Sequence, residues 1–236
     1  MRKWTFGFST WRSRNKDFSA TDSKGSRVPP TRPPRPPPRT DRQRRGDSGV
    51  IYCLSKKDCE NLSNKLNKKF QEKGFRDVRV SYYHAEVPPE EKSRRHREWS
   101  LGRISVLCAT IAFGMGIDKP DVRYVMHFNM PKSITHYYQE SGRAGRDGSH
   151  ADCILFYQYK DKKLLEMMIR KGARNGGGMP MRRKIDQLYT CVRYCENTFE
   201  CRRTLQLQFF GEHFDKSKCN KTCGKSGFGQ IAQGHT

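Results

Sequence analysis

Val50-Ile51-Tyr52-Cys53-Leu54-Ser55-Lys56-Lys57-Asp58-Cys59 is the stretch on which the architecture turns. Its first five residues are an apolar run of strand formers, and Ser55 with Asp58 three places on is a helix-start signal. Cys59, Leu62, Leu66 and Phe70 then recur at helical spacing until Gly74 stops the helix. A strand feeding directly into a helix is the repeating unit of a parallel α/β sheet.

The unit recurs toward the C-terminus. Strands are expected at 78–84, 104–109, 122–128 and 152–156, with a charged helix opened by Pro88-Pro89 and another entered through Pro131 and Ser133. Strands buried on both faces and alternating with helices imply a mostly parallel sheet flanked by helices. Ligands of such sheets gather beyond the carboxyl ends of the strands. Ser55 and Lys56 follow the first strand there, His84 the second, and the 110–118 segment the third. Past Tyr157 the pattern turns helical, with apolar stripes at Leu164, Leu165, Met168 and Ile169 and at Ile185, Leu188, Tyr189 and Val192. A last helix, near 202–210, is ended by Gly211.

Toward the N-terminus the character changes. Residues up to 46 carry thirteen Lys or Arg against three Asp, and seven prolines fall between Pro29 and Pro38. Such a segment favours solvated polyproline II and reads as a disordered basic tail. The organisation expected is therefore a disordered tail over 1–47, an α/β domain over 48–158, a helical subdomain over 159–226 and a disordered end over 227–236. Trp4, Phe6, Phe8 and Trp11 are unusually aromatic for a tail and have no physical account at this level.

The 236 residues carry a formal net charge of +23. That balance predicts a polyanionic partner, nucleic acid before membrane, since no apolar run reaches the length of a membrane span. The first residues lack the apolar core of a secretory signal, so the nine cysteines are expected in a reducing compartment, as packing residues or metal ligands. Basic tracts in the tail suggest the nucleus.

The chemistry concentrates in Gln139-Glu140-Ser141-Gly142-Arg143-Ala144-Gly145-Arg146-Asp147-Gly148. Two arginines three apart on a glycine-punctuated turn can aim two planar guanidinium forks at one phosphate site. This stretch resembles motif VI of superfamily 2 helicases. The 50–60 segment resembles motif IV of the RecQ helicases, Tyr83-His84-Ala85 the motif after it, and Ala109-Thr110-Ile111-Ala112-Phe113-Gly114-Met115-Gly116-Ile117-Asp118-Lys119-Pro120 motif V. From about 49 to 223 the chain resembles the second RecA-like motor domain and zinc-binding subdomain of a RecQ DNA helicase.

The resemblance implies a 3'-to-5' ATP-dependent DNA helicase acting in repair and recombination. Arg146 would be the arginine finger, Arg143 its phosphate-sensing neighbour and Gln139 the residue that orients them. Gly114 and Gly116 would let a loop approach nucleotide and strand, with Asp118 bonding a ribose hydroxyl or an arginine. Ser55, Lys56, His84 and Thr110 would face single-stranded or forked DNA. ATP and Mg²⁺ would be held mainly by a first motor domain, a missing N-terminal partner or a full-length homologue, because no G-x-x-x-x-G-K-[ST] loop or D-E-x-H box occurs in the 236 residues. Gly224-Lys225-Ser226 imitates the end of such a loop, but the first glycine would fall on Cys219.

Two departures stand out. Glu86 occupies a place where the family carries glycine, beside a DNA-facing loop. Of four zinc-binding cysteines, Cys201, Cys219 and Cys223 match, while Ser226 stands at the fourth position. The residues leave two outcomes open: Cys195 or His213 completes a Zn²⁺ site, or Cys191 and Cys195 merely pack on a helix. Without a closed site the helical appendix is expected to be loosely held. Three readings follow: the second half of a helicase motor, inactive alone; a non-catalytic nucleic-acid-binding protein; or a truncated gene product with foreign ends.

Overall fold

The computed structural model describes residues 5–10, 47–114, 118–173, 179–219 and 223. A six-stranded sheet has β1 (Thr5–Thr10), β2 (Ser48–Tyr52), β3 (Val80–Tyr83), β4 (Val106–Ala109), β5 (Val122–His127) and β6 (Asp152–Tyr157), in the spatial order β1-β6-β5-β2-β4-β3. The five strands β2 to β6 are parallel, as expected, and β1 adds antiparallel to the edge of β6 in the register Thr5 to Tyr157. The strand at Thr5–Thr10 falls inside the stretch read as a disordered tail. The proline-rich remainder of that reading, and the end after Cys223, lie outside the described residues.

Helices α1 (Lys56–Glu72), α2 (Pro89–Ser100) and α3 (Ile134–Ser141) flank the sheet, and α4 (Tyr159–Ala173), α5 (Met181–Glu196) and α6 (Arg202–Phe209) follow it. The expected start of α1 is realised: Ser55 Oγ accepts from the Asp58 amide at 3.0 Å and donates to the Asp58 carboxylate at 2.8 Å. Ser133 caps α3 in the same way, accepting from the His136 amide at 3.3 Å. Trp99, wholly buried at the end of α2, donates its indole N–H to the Gly49 carbonyl at 3.2 Å.

Gly49 is required by close packing. A Cβ there would lie 1.8 Å from Cε2 of Tyr124 on the neighbouring strand. The Gly49→Ala protein is therefore expected to lose about 1–3 kcal/mol through a displaced ring. A urea midpoint that falls with an unchanged slope is the check.

The helical segment is better anchored than expected. Leu165 of α4 and Leu188, Cys191, Val192, Tyr194 and Cys195 of α5 form one buried cluster with Met130, Ile134, Tyr137 and Leu155 of the α/β domain. Tyr157 of β6 also donates to Glu196 of α5 at 2.6 Å. The reading that little apolar surface holds this segment is thus corrected: shared burial does so.

Candidate functional site

The two arginines ride on the turn after α3. Gly145 and Gly148 have φ of 63° and 76°, values that L side chains rarely adopt. The Gly145 amide donates to the Val122 carbonyl at 2.9 Å and the Asp147 amide to the Pro120 carbonyl at 3.1 Å. These contacts set the turn beside the residues entering β5. Ser55, Lys56, His84 and Thr110 follow the carboxyl ends of their strands as expected, whereas this turn precedes β6.

Arg123, buried and absent from the sequence reading, braces the turn. Its guanidinium donates to the carbonyls of Asp121 at 2.9 Å and His150 at 3.0 Å and to the Asp147 carboxylate at 2.6 Å. Burial pushes the Asp147 carboxyl up, but Arg123 and the Ser149 amide outweigh it and hold the group below the ordinary carboxylate range. A hydrophobic residue count would not have found Arg123, since its role depends on carbonyls that only the fold brings together.

Arg143 points inward. Its Nη2 donates to the Gly114 carbonyl at 2.6 Å, and its Nε is buried with no hydrogen-bond partner among the described residues. Beside it the buried Tyr52 hydroxyl donates to the Phe113 carbonyl at 3.1 Å. Burial pushes the Tyr52 hydroxyl up, against the opposing field of Arg143, so the phenol stays neutral. Behind Tyr52 the His127 ring stacks at 5.5 Å, and His127 Nε2 lies 2.7 Å from a Glu140 carboxylate oxygen. Arg146 is more open and reaches Asp118, Nη1 to Oδ1 3.2 Å. Motifs V and VI are thereby stitched together through Arg143 to Gly114 and Arg146 to Asp118. Gly116 lies outside the described residues, and Gln139 sits exposed on α3.

The proposed strand-facing residues divide. A cleft of about 100 Å³ opens at the carboxyl ends of β2, β4 and β5, lined in part by Thr110, Asn129, Lys132 and His136. Lys56 is exposed but ion-paired with Glu86. That hydrogen bond from Lys56 holds the Glu86 carboxyl below its ordinary range. Ser55 has committed its hydroxyl to the helix cap, so a phosphate there would be met by the α1 N-terminus and Lys56 rather than by a free hydroxyl. His84 is turned inward, 4% exposed, with Nε2 3.0 Å from the Glu60 carboxylate and its ring stacked on Tyr82 at 5.4 Å. Its side chain supports the loop from beneath.

The cysteines also sort themselves. Cys53, Cys59, Cys108, Cys153, Cys191 and Cys195 are core residues. The sulfurs of Cys201, Cys219 and Cys223 lie within 4.8 Å of one another, the one such group among the described residues. Neither Cys195 nor His213 joins it, and Ser226 lies outside the described residues. Burial opposes the Cys201 thiolate, yet the Thr204 amide in the first turn of α6 and the neighbouring Cys219 bring this thiol below its ordinary range. Burial, with hydrogen bonds shared with Cys201 and Cys223, pushes Cys219 up to about 11. A tetrahedral zinc ion with bonds of about 2.3 Å sets its thiolates about 3.8 Å apart, so the donor set fits three of its corners.

Comparison with known proteins matches this layout. The model of the helicase conserved C-terminal domain fits residues 39–148 and that of the RecQ zinc-binding region residues 159–225. ATP-dependent DNA helicase hus2/rqh1 of Schizosaccharomyces pombe is 44% identical over 177 residues, covering 75% of this chain and 13% of that protein. ATP-dependent helicase SGS1 of Saccharomyces cerevisiae is 40% identical over 179 residues, 76% of this chain and 12% of that protein. ATP-dependent DNA helicase Q1 of mouse is 45% identical over 179 residues, 76% of this chain and 25% of that protein. The chain thus spans a quarter or less of these three relatives' length.

Proposed function

The chain belongs to the RecQ helicase family, carrying its C-terminal helicase domain and zinc-binding region, and from that premise we propose that it is the second half of a 3'-to-5' ATP-dependent DNA helicase motor. The carrying observation is the pairing of the two candidate arginines with motif V, Arg143 on Gly114 and Arg146 on Asp118. ATP with Mg²⁺ would lie on a first RecA-like domain. Arg146 would reach across the cleft to the phosphates, Arg143 would sense them, and Gln139 would orient the pair. Asp118, now holding Arg146, would release it to the nucleotide, and Gly114 and Gly116 would keep the loop slim enough for that approach.

Single-stranded or forked DNA would run over the carboxyl ends of the strands, touching Lys56, the α1 N-terminus and Thr110 through its phosphates. Such contacts track backbone and not bases, so affinity should be sequence-tolerant and fall with salt. Zinc would hold the 3₁₀ turn Lys216–Cys219 to the start of α6 through Cys201, Cys219 and Cys223, pinning the chain end. The setting of such work is the nucleus, in DNA repair and recombination.

The test joins residues 48–226 to a first motor domain of a RecQ relative and measures ATP hydrolysis with and without single-stranded DNA. DNA-stimulated turnover is expected from the joined protein and none from the 236-residue chain. Turnover by the chain alone, or none from a folded joined protein, would overturn the reading.

Glu86 offers a gentler check. Lys56 must leave Glu86 before it can meet a phosphate, and both groups are exposed, so the competition is weak and screened by salt. The Glu86→Gly chain is expected to bind single-stranded DNA roughly two- to fivefold more tightly at low salt. Fluorescence anisotropy should show the gain shrinking as salt rises.

A further inference from the structure

We propose that the metal held by Cys201, Cys219 and Cys223 has an open fourth corner, which takes a single donor from outside the chain: water at rest, and a small thiol or imidazole when one is present. This rests on the zinc reading above and goes beyond it.

The donor set argues for it first. Closed structural sites present four protein ligands, whereas three protein ligands plus an exchangeable one is the pattern of open sites. Among the described residues, three sulfurs form the group and no fourth His, Cys, Asp or Glu joins them. The side chains nearest in sequence have other commitments. Cys195 is packed in the helical core with Cys191, and His213 is exposed. Glu200 is ion-paired with Lys216 at 2.6 Å, and Asp215 accepts from the Ser217 amide at 2.9 Å. Beyond Cys223 this sequence has no cysteine, and its one imidazole is His235, twelve residues on.

Access and charge point the same way. Cys219 and Cys223 are buried, but Cys201, at the N-cap of α6, is half-buried, so the cluster meets solvent on its side. Three thiolates on a divalent ion leave one net negative charge. Arg203 lies against it, Nη1 3.0 Å from the Cys219 carbonyl oxygen and 3.6 Å from its sulfur. Imidazole replaces water there without changing that balance, whereas a thiol binds as its thiolate, giving its proton to solvent and adding one negative charge that Arg203 faces; no electron transfer is involved in either case. In sequence, Ser226 stands where the family resemblance calls for a fourth cysteine.

The test loads the purified 236-residue protein with Co²⁺ and titrates it with imidazole, and separately with mercaptoethanol, while the visible ligand-field bands are recorded. A saturable shift of those bands, with the thiolate charge-transfer absorption retained, is expected. The Ser226→Cys variant should lose the response and hold zinc against a chelator at least about tenfold longer, the scale on which even outer-shell partners alter metal affinity. Parent bands indifferent to both ligands would show that the chain closes its own site and would overturn the proposal. So would a Ser226→Cys variant that responds as the parent does. Failure to take up metal at all would overturn the zinc reading together with this one, whereas uptake with an unresponsive spectrum overturns this one alone.

Discussion

Replacing Arg146 with alanine in the protein joined to a first motor domain is expected to lower DNA-stimulated ATP hydrolysis by about 10³-fold or more, the scale set by other arginine fingers. The size follows from where the charge acts. A guanidinium that reaches a phosphoryl group in a closed cleft meets transition-state charge in a site that excludes water, and it stabilises that charge without reorganisation. In the isolated second domain the same side chain is one-third exposed and holds Asp118 at 3.2 Å, so its loss there should change folding little. Arg146→Lys tests the geometry as well as the charge: a point charge cannot form the bidentate contact, and most of the rate loss should persist. Strand binding, proposed above to run through Lys56, the α1 N-terminus and Thr110, should stay within about twofold of the parent value, since Arg146 is not among those contacts and exposed charges act weakly through salt. Unchanged turnover in Arg146→Ala would remove the finger from this residue. A parallel loss of DNA affinity would point to a misplaced domain instead.

The second large effect is expected from a residue beside the exposed face of α3. Glu140→Ala should cost about 2–4 kcal/mol, because His127, 1% exposed, would lose the carboxylate that meets its Nε2. For an ordered region of this size the melting temperature should fall by about 10 °C. Glu140→Gln keeps an acceptor oxygen and should recover part of the loss. The adjacent Gln139→Ala is the control. Gln139 is exposed, so stability should stay within about 0.5 kcal/mol of the parent. Under the proposed function Gln139→Ala should nevertheless slow turnover of the joined protein. The two neighbours thus separate support from chemistry: Glu140→Ala lowers melting, whereas Gln139→Ala lowers rate with melting unchanged. Calorimetry of the single domain and turnover of the joined protein read them independently.

Arg143 links these two results. It lies between the open Arg146 and the buried pair, with Gly114 in front of it and Tyr52 alongside. Disturbing Glu140 should therefore weaken the turn that carries both arginines, and some loss of turnover in Glu140→Ala follows from position rather than from contact with nucleotide.

Much of this molecule was legible from residue order. Local spacing determined the strand-to-helix units, because an apolar run of strand formers, a capping serine and a helical repeat are each decided within one turn or one strand. The five parallel strands, the capping of α1 by Ser55 and the glycine-supported arginine turn all followed from such short-range rules. The three clustered cysteines, Cys201, Cys219 and Cys223, were legible from their order and from the resemblance it carries.

Only the tertiary structure decided what each marked residue does with its side chain. His84 and Thr110 looked equivalent as loop residues after strands, yet one imidazole is sealed against Glu60 and Tyr82 while the threonine lines an open cleft. Lys56 proved to be paired with Glu86, thirty positions away, and Arg123 proved to brace the arginine turn through carbonyls from two separate loops. The helical segment proved to share a core with β6 and α3, and Cys195 proved to belong to that core and not to the sulfur cluster. The physical reason is common to all of them. Residue type and spacing set local conformation and chemical potential, but burial, pairing and access arise from groups far apart in sequence, and those are settled when the sheet and helices pack.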